Sequence, residues 1–415
     1  MTNPTNILQN VQTYQKSGLA LLLNESPLIA TLNSKFKNFE TEPANLGDTV
    51  TFNKPVRYVA TDGLVANFQA TDQPRVTLTV DQSKNVSRAF TAQQKIFNVD
   101  AFLDEFGESA IATLGTVIER NVGQQIISSP YRFYGDGVTN LTTYGQLANM
   151  IALFKNYGTA KGPLKCYLPD VTIPNIVNSG LSQFVLERNN ETAMSWELGR
   201  WNNVDFYVSS LLPTQVAGNC GNLNQTLTVV STNDPSGANI TQITFSGATD
   251  GDNYAINVND LIQFQDGVSG KPNMRYMQWI GGGLSFNPVQ LRATAPAGAN
   301  ISGDVTINFY PPLCAQPGNP QQNIYYNVVA GMQVKVMPTH VSGVITSGNA
   351  YYLAMPQLPD KSPFYSGNEI DPGTGVSIRL SYGSMFEDNK YGYINDAIWG
   401  SKLVEEYGMQ IILPL

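Results

Sequence analysis

The chain has 415 residues, of which only 13% are charged, about half the share of an ordinary globular protein. Its 42% hydrophobic and 10% aromatic content excludes a disordered chain, and its length suggests two or three domains with real cores. A net charge of −8 without any Lys/Arg block argues against tight direct binding to nucleic acid, which needs clustered cations on phosphates.

Residues 1–47 hold two short helical patterns, Ile7 to Lys16 and Leu28 to Phe36, around the apolar run Leu19 to Leu23. They are too thin for a core of their own and read as an arm that packs on something else. The start of the chain shows no basic region followed by an apolar run, so a cleaved leader is not expected, and no run of about 18 apolar residues marks a membrane span. From residue 48 to 98 the period changes to two. Val50, Phe52, Val56 and Tyr58 form one alternating set and Val76, Leu78 and Val80 another, with Asp62-Gly63 and Gln73-Pro74 as turn signals between them. The pattern predicts a long β-hairpin with a polar tip. Two strands alone are marginal in water, so such a hairpin needs a foreign surface.

Residues 99–130 predict one long helix. Asp100 can cap it, Asp104, Glu105 and Glu108 suit the positive end of its dipole, and Ser128, Ser129 and Pro130 stop it. Leu103, Phe106, Ala110, Leu114, Val117, Ile118, Val122 and Ile126 recur at steps of three and four, which makes one apolar face. In residues 131–221, helical patterns at Tyr144 to Tyr157 and Ile173 to Phe184 alternate with strand patterns at Leu164 to Leu168 and Val204 to Ser209, the mark of a compact α/β domain. Residues 222–322 lose the helical period altogether. Leu227 to Val230, Ile240 to Phe245, Leu261 to Phe264, Met274 to Ile280, Val289 to Ala293 and Val305 to Phe309 read as strands punctuated by Gly, Asn, Asp and Pro, so an all-β domain is inserted here. Residues 323–415 return to mixed structure. Gln333 to Met337, Ala350 to Met355, Val376 to Leu380 and Ile411 to Leu413 read as strands, and Leu358 to Gly375 as a loop.

Chemistry is hard to find in this chain. His340 is the sole histidine and lies in Pro338-Thr339-His340-Val341 without a nucleophile motif, so it reads as structural. Gly281-Gly282-Gly283 lacks the Lys-Ser/Thr of a phosphate loop and reads as a turn between strands. Asp250, Asp252 and Asp260 do not fit a calcium loop, because Tyr254 and Ala255 stand where a ligand and a glycine belong. Cys166, Cys220 and Cys314 lie far apart and outside any C-x-x-C pattern, so they read as plain thiols of a reducing compartment. Tyr254, Phe264, Tyr276 and Trp279 leave a carbohydrate-binding or glycoside-cleaving β-protein as an alternative. No catalytic residue, cofactor or metal site is expected.

The order of arm, hairpin, long helix, α/β domain, all-β insertion and return resembles the major capsid proteins of tailed phages, the Hong Kong 97 fold. Among these it is most similar to podophage coat proteins with a β-barrel insertion. The similarity is carried by Val204-Asp205-Phe206-Tyr207-Val208-Ser209 with Leu211-Leu212-Pro213, by Phe245-Ser246-Gly247 through Asp260-Leu261-Ile262-Gln263-Phe264, and by Ala397-Ile398-Trp399-Gly400 before a closing strand. The resemblance implies an α+β chain with N-arm (1–47), extended loop (48–98), spine helix of a peripheral domain (99–130), axial domain (131–221, returning with the peripheral domain at 323–415) and inserted barrel (222–322). It implies no enzyme. What it implies instead is a virion subunit that assembles in the bacterial host cytoplasm, with scaffolding protein and a portal, into hexamers and pentamers of an icosahedral shell, commonly a T = 7 lattice. That shell encloses double-stranded DNA without sequence specificity and touches no membrane. In such a shell Lys54, Arg57, Arg75, Lys84 and Arg88 of the hairpin would meet acids such as Asp104, Glu105 and Glu119 on a neighbour's helix, and Asp62 at the hairpin tip would be a further contact between subunits. Some relatives cross-link a loop Lys to a neighbour's Asn, but no acceptor matches Lys54 or Lys84. An encapsulin-like compartment shares the fold and stays open as an alternative.

Overall fold

The computed structural model describes residues 19–20, 22, 26–32, 47–58, 68, 73–91, 101–177, 199–348, 350–358, 365–371, 375–385 and 390–415. The chain is α+β and divides into two compact units, each stitched from three separate stretches of sequence. One takes 1–52, 76–125 and 351–402, the other 53–75, 126–350 and 403–415.

In the first unit the dominant element is the helix Ala101–Ser128, whose 28 residues span about 42 Å. Its periodic face is the buried one: Ala110, Ile111, Leu114, Ile118 and Val122 are all 5% exposed or less. Gly115 lets the Leu22 segment come close, since a Cβ there would lie 3.3 Å from Ser26 Oγ and 3.4 Å from Leu22 Cγ. Beyond this contact, most of the expected arm lies outside the described residues.

The expected long hairpin is built differently. Thr49–Asn53 and Arg75–Thr79 form a short two-stranded base. The chain then turns away, and Gln82–Thr91 runs antiparallel to the 14-residue strand Lys390–Leu403. That strand also pairs with Ser377–Met385 and Tyr351–Ala354, and Tyr365–Ile370 completes the five-stranded sheet. Tyr365–Ile370 falls inside the stretch expected to be a loop. Its pairing with Ser377–Met385 is continuous over six residues, so backbone pairing places a strand where apolar alternation does not. Trp399, fully buried, donates its indole N–H to Asn121 Oδ1 at 2.9 Å, and Tyr351 donates its hydroxyl to the Val122 carbonyl at 2.5 Å. These bonds fasten the sheet to the helix.

The second unit contains a mixed sheet ordered Phe133–Tyr134, Gly408–Leu413, His340–Ser347, Leu164–Leu168, Val204–Val208 and Arg200–Trp201, with Thr214–Gln215 added beside His340 and Val341. Helix Tyr144–Asn156 covers it with Leu147, Met150, Ile151 and Phe154, and starts on a capping box between Thr143 and Gln146. Of the expected helix Ile173 to Phe184, Thr172–Val177 is seen and 178–184 lie outside the described residues.

The insertion is a closed six-stranded barrel. Around it run Ile240–Ser246, Val305–Leu313, Gln290–Ala293, Leu261–Phe264, Gln333–Val336 and Thr226–Thr232. Leu227, Ile243, Phe245, Ile262, Leu291, Ile307, Val334 and Val336 fill it. The barrel therefore continues past the expected boundary at 322. Gln333–Val336 bonds to both Leu261–Phe264 and Thr226–Thr232, and without it two strands would be left as open edges. The expected strand at Met274 to Ile280 is shorter, Arg275–Met277, and pairs outside the barrel with Leu284–Pro288 across the triple-glycine turn. Gly281 and Gly282 there have φ of 87° and 64°, a conformation that glycine tolerates best.

Candidate functional site

Of the charged residues singled out in the sequence, Lys54 and Arg57 are brought together, and both are engaged within their own chain. Immediately after the hairpin base, Lys54 Nζ lies 2.8 Å from Glu405 Oε2 and 3.2 Å from Glu406 Oε1, and donates to the Tyr310 hydroxyl at 2.9 Å. Tyr310 in turn donates to Glu406 at 2.8 Å. Burial by itself would lower the Lys54 pKa, but Glu406 and Glu405 together outweigh it and hold the ammonium above its ordinary value. The Tyr310 hydroxyl is pushed far up, first by burial and then by the two carboxylates, so it stays protonated and keeps donating.

Three residues on, the Arg57 guanidinium lies 3.8 Å over the Trp279 ring, donates to the Gln322 carbonyl at 2.5 Å and reaches the Tyr157 hydroxyl at 3.5 Å. Tyr157 shares a hydrogen bond of 2.7 Å with the buried Tyr131. Its ring carries a second cation, the fully buried Arg132, 3.9 Å from the centroid. Arg132 donates to the Glu406 and Gly408 carbonyls at 3.0 and 3.3 Å, which ties the helix-to-sheet turn to the approach of the closing strand.

Between these groups lies a cavity of about 590 Å³, within the size range of ligand pockets. Tyr131, Tyr157, Trp279 and Tyr310 form its aromatic wall, Pro311, Pro312 and Pro320 its apolar floor, and Lys54, Arg57 and Glu406 its charged rim.

The other predicted contact residues are scattered. Glu119 is fully buried in the long helix, so it cannot meet a neighbour's cation. Arg75 and Lys84 are exposed and Arg88 is half-buried, on strands Arg75–Thr79 and Gln82–Thr91. Asp104 and Glu105 lie in the first turns of the helix, with side chains outside the described set, and Asp62 lies outside the described residues altogether.

Glu405, Glu406, Tyr157 and Tyr310 escaped the sequence reading. The adjacent acids before the closing strand were the one local signal, but nothing in the sequence pairs them with a lysine some 350 positions earlier. The aromatic residues considered for a sugar site do not share a face. Tyr276 and Phe264 are core residues, Tyr254 is 71% exposed, and Trp279 carries Arg57. His340 is buried with Nδ1 2.6 Å from the Pro338 carbonyl, and burial lowers its pKa, so the ring is neutral and structural. The three cysteines are free and buried, and burial raises their thiols.

No family model matches the chain, and no curated protein matches it. Among solved structures it is similar to one from Mycobacterium phage Che8, at 8% identity over 92% of this chain and 90% of that one, with a TM-score of 0.46. It is similar also to the capsid asymmetric unit of cyanophage Pam1, at 8% identity over 92% and 88%, with a TM-score of 0.43. A third likeness is to a virus-like particle from Pyrococcus furiosus, at 6% identity over 96% and 98%, with a TM-score of 0.37. Values this low leave all three as likenesses and nothing more.

Proposed function

We propose that the chain is a shell subunit, the major capsid protein of a tailed bacteriophage, which self-assembles into a closed icosahedral container for double-stranded DNA. The observation that carries this is the hairpin. Its paired base is short, its limb is anchored by Lys54 and Arg57, and beyond the anchor Tyr58 and Phe68 are 60% and 95% exposed. In a closed shell these rings would lie against a neighbouring copy. The order of elements fits the same reading: arm, hairpin, long helix, mixed sheet, and a barrel inserted between two strands of that sheet. A negative, weakly charged chain suits the enclosure of DNA without gripping it. On this reading the partners are further copies in hexamers and pentamers, a scaffolding protein and a portal, inside the bacterial host.

Replacing Asp62 to Gln73 by a short Gly-Ser link tests the proposal. The wild-type protein, with its scaffold, should sediment as closed particles visible by electron microscopy. The variant should remain as soluble subunits with a nearly unchanged melting temperature. A wild-type protein that stays monomeric under all such conditions is not a shell subunit, and a variant that closes normally removes the hairpin from assembly.

A further inference from the structure

The cavity beside the hairpin anchor gathers more positive charge than its acids can match. Lys54 and Arg57 line it, Arg132 and Arg292 lie against its Tyr157 and Tyr310 rings, and the carboxylates among them are Glu405 and Glu406. Lys54 takes both acids, at 2.8 and 3.2 Å, and Arg292, 5.9 Å from the Tyr310 ring centre, lies in the field of Glu405. Arg57 and Arg132 approach the same Tyr157, one at its hydroxyl and the other 3.9 Å over its ring. Neither has a carboxylate partner among the described residues. Four cations against two acids leave an excess of two positive charges, assembled by the fold from distant positions, so no Lys/Arg run announces it in the sequence. Donors go unused as well. Arg57 Nε and Trp279 Nε1, on stacked groups of the cavity wall, are shielded by the protein and make no hydrogen bond, and the same holds for Arg132 Nε and Nη1. A buried donor without an acceptor is costly, and a buried charge without a counter-charge is costlier still.

We propose that this cavity is a binding site for a phosphate group, with the Arg57 guanidinium and the Trp279 indole N–H as donors and Arg132 as a second charge at the Tyr157 ring. Free phosphate or a phosphate monoester carries nearly two negative charges at neutral pH, which is the excess that the cluster presents. A carboxylate or a phosphodiester brings only one. Arginine is also the cation whose planar donors match phosphate oxygens, so Arg57 at the wall fits this ligand in shape as well as in charge. The acids at the rim do not repel it with their full charge, because Lys54 reaches both and Tyr310 donates to Glu406 at 2.8 Å. A volume of about 590 Å³ is far more than a phosphate group fills, so the group can enter on a larger molecule that lies along the proline floor. Once seated, it joins the hairpin limb, through Arg57, to the far wall, through Trp279, and stiffens the unit to which both belong.

Isothermal titration of the full-length protein with sodium phosphate, at an ionic strength held constant with sodium chloride, tests the site. The expected result is one saturable uptake, displaced by sulfate, another dianion, and not by acetate at the same concentration. Arg57→Gln should weaken phosphate binding by about tenfold or more, the loss of a charged hydrogen bond. Trp279→Phe, which keeps a ring under Arg57 and removes the N–H, should weaken it by about threefold or more. Lys84→Gln, at an exposed cation on Gln82–Thr91, should leave it unchanged. If Arg57→Gln does not fold, Trp279→Phe decides alone. Two further probes separate the sources of the group: a nucleoside monophosphate should bind at least as well as free phosphate, and a single-stranded DNA oligonucleotide without terminal phosphates more weakly. The site is overturned by the absence of saturable uptake, by displacement with acetate, by unchanged affinity in the folded Arg57 and Trp279 variants, or by an equal loss in Lys84→Gln. An oligonucleotide that binds more tightly than the monophosphate overturns the match to a dianion. Each of these outcomes leaves the shell reading where it stands.

Discussion

Lys54 sits where two carboxylates and a phenol converge, with side-chain exposure of 12% for the lysine and 13% and 5% for the two acids. A pair this dry gives little net stability when intact, but removing one partner leaves a buried charge uncompensated. Lys54→Met should therefore destabilise its unit by about 3 kcal/mol in urea unfolding, and adding Glu406→Gln to it should recover part of the loss. Asp260 presents the opposite case. It is 1% exposed and accepts from Gln215 Nε2, Gly218 N and Asn257 N at 3.0, 2.9 and 2.8 Å, yet burial outweighs these bonds and pushes its pKa up to about 6. An acid whose folded pKa is raised holds its proton in the folded state after the unfolded chain has shed it, so its contribution to stability falls as pH climbs from about 4 to about 6. Asp260→Asn should flatten that slope, by about 2–3 kcal/mol between pH 4 and pH 7, as read from unfolding curves at several pH values.

At the scale of elements the barrel makes the sharpest prediction. A fragment of residues 222–322 lacks Gln333–Val336 and should be poorly folded, whereas 219–337 closes the barrel and should unfold cooperatively with a dispersed amide spectrum. A cooperative 222–322 fragment would show that the sixth strand is dispensable. The same strand shows where sequence reading reaches its limit. Leu114 and Ile118 announce a helix face because the i, i+3, i+4 period is local, and Leu261–Phe264 reads as a strand from its own residues. Which strands pair is a long-range property, so Gln333–Val336 was legible as a strand and not as part of the barrel. Tyr365–Ile370, with Ser, Gly, Asn and Glu in a row, carries no alternation and was not legible at all. The candidate site follows the same rule: Lys54 and Arg57 stand out as cations on a weakly charged chain, while their partners Glu405, Glu406 and Trp279 are brought to them only by the fold.

At the scale of the whole molecule, the two units interleave along the sequence, each needing three stretches of chain. That arrangement has a consequence in time. The barrel, drawn from one continuous stretch, can close while the ribosome is still working downstream. The other unit cannot, because Gln82–Thr91 waits for Lys390–Leu403, after roughly 300 residues of further synthesis, about 15–60 s at common rates of translation. Over the last part of that interval, once residue 336 has been made, the nascent chain carries a finished barrel and an unfinished sheet. The unit that holds the long helix is thus completed only after its last strand has left the ribosome.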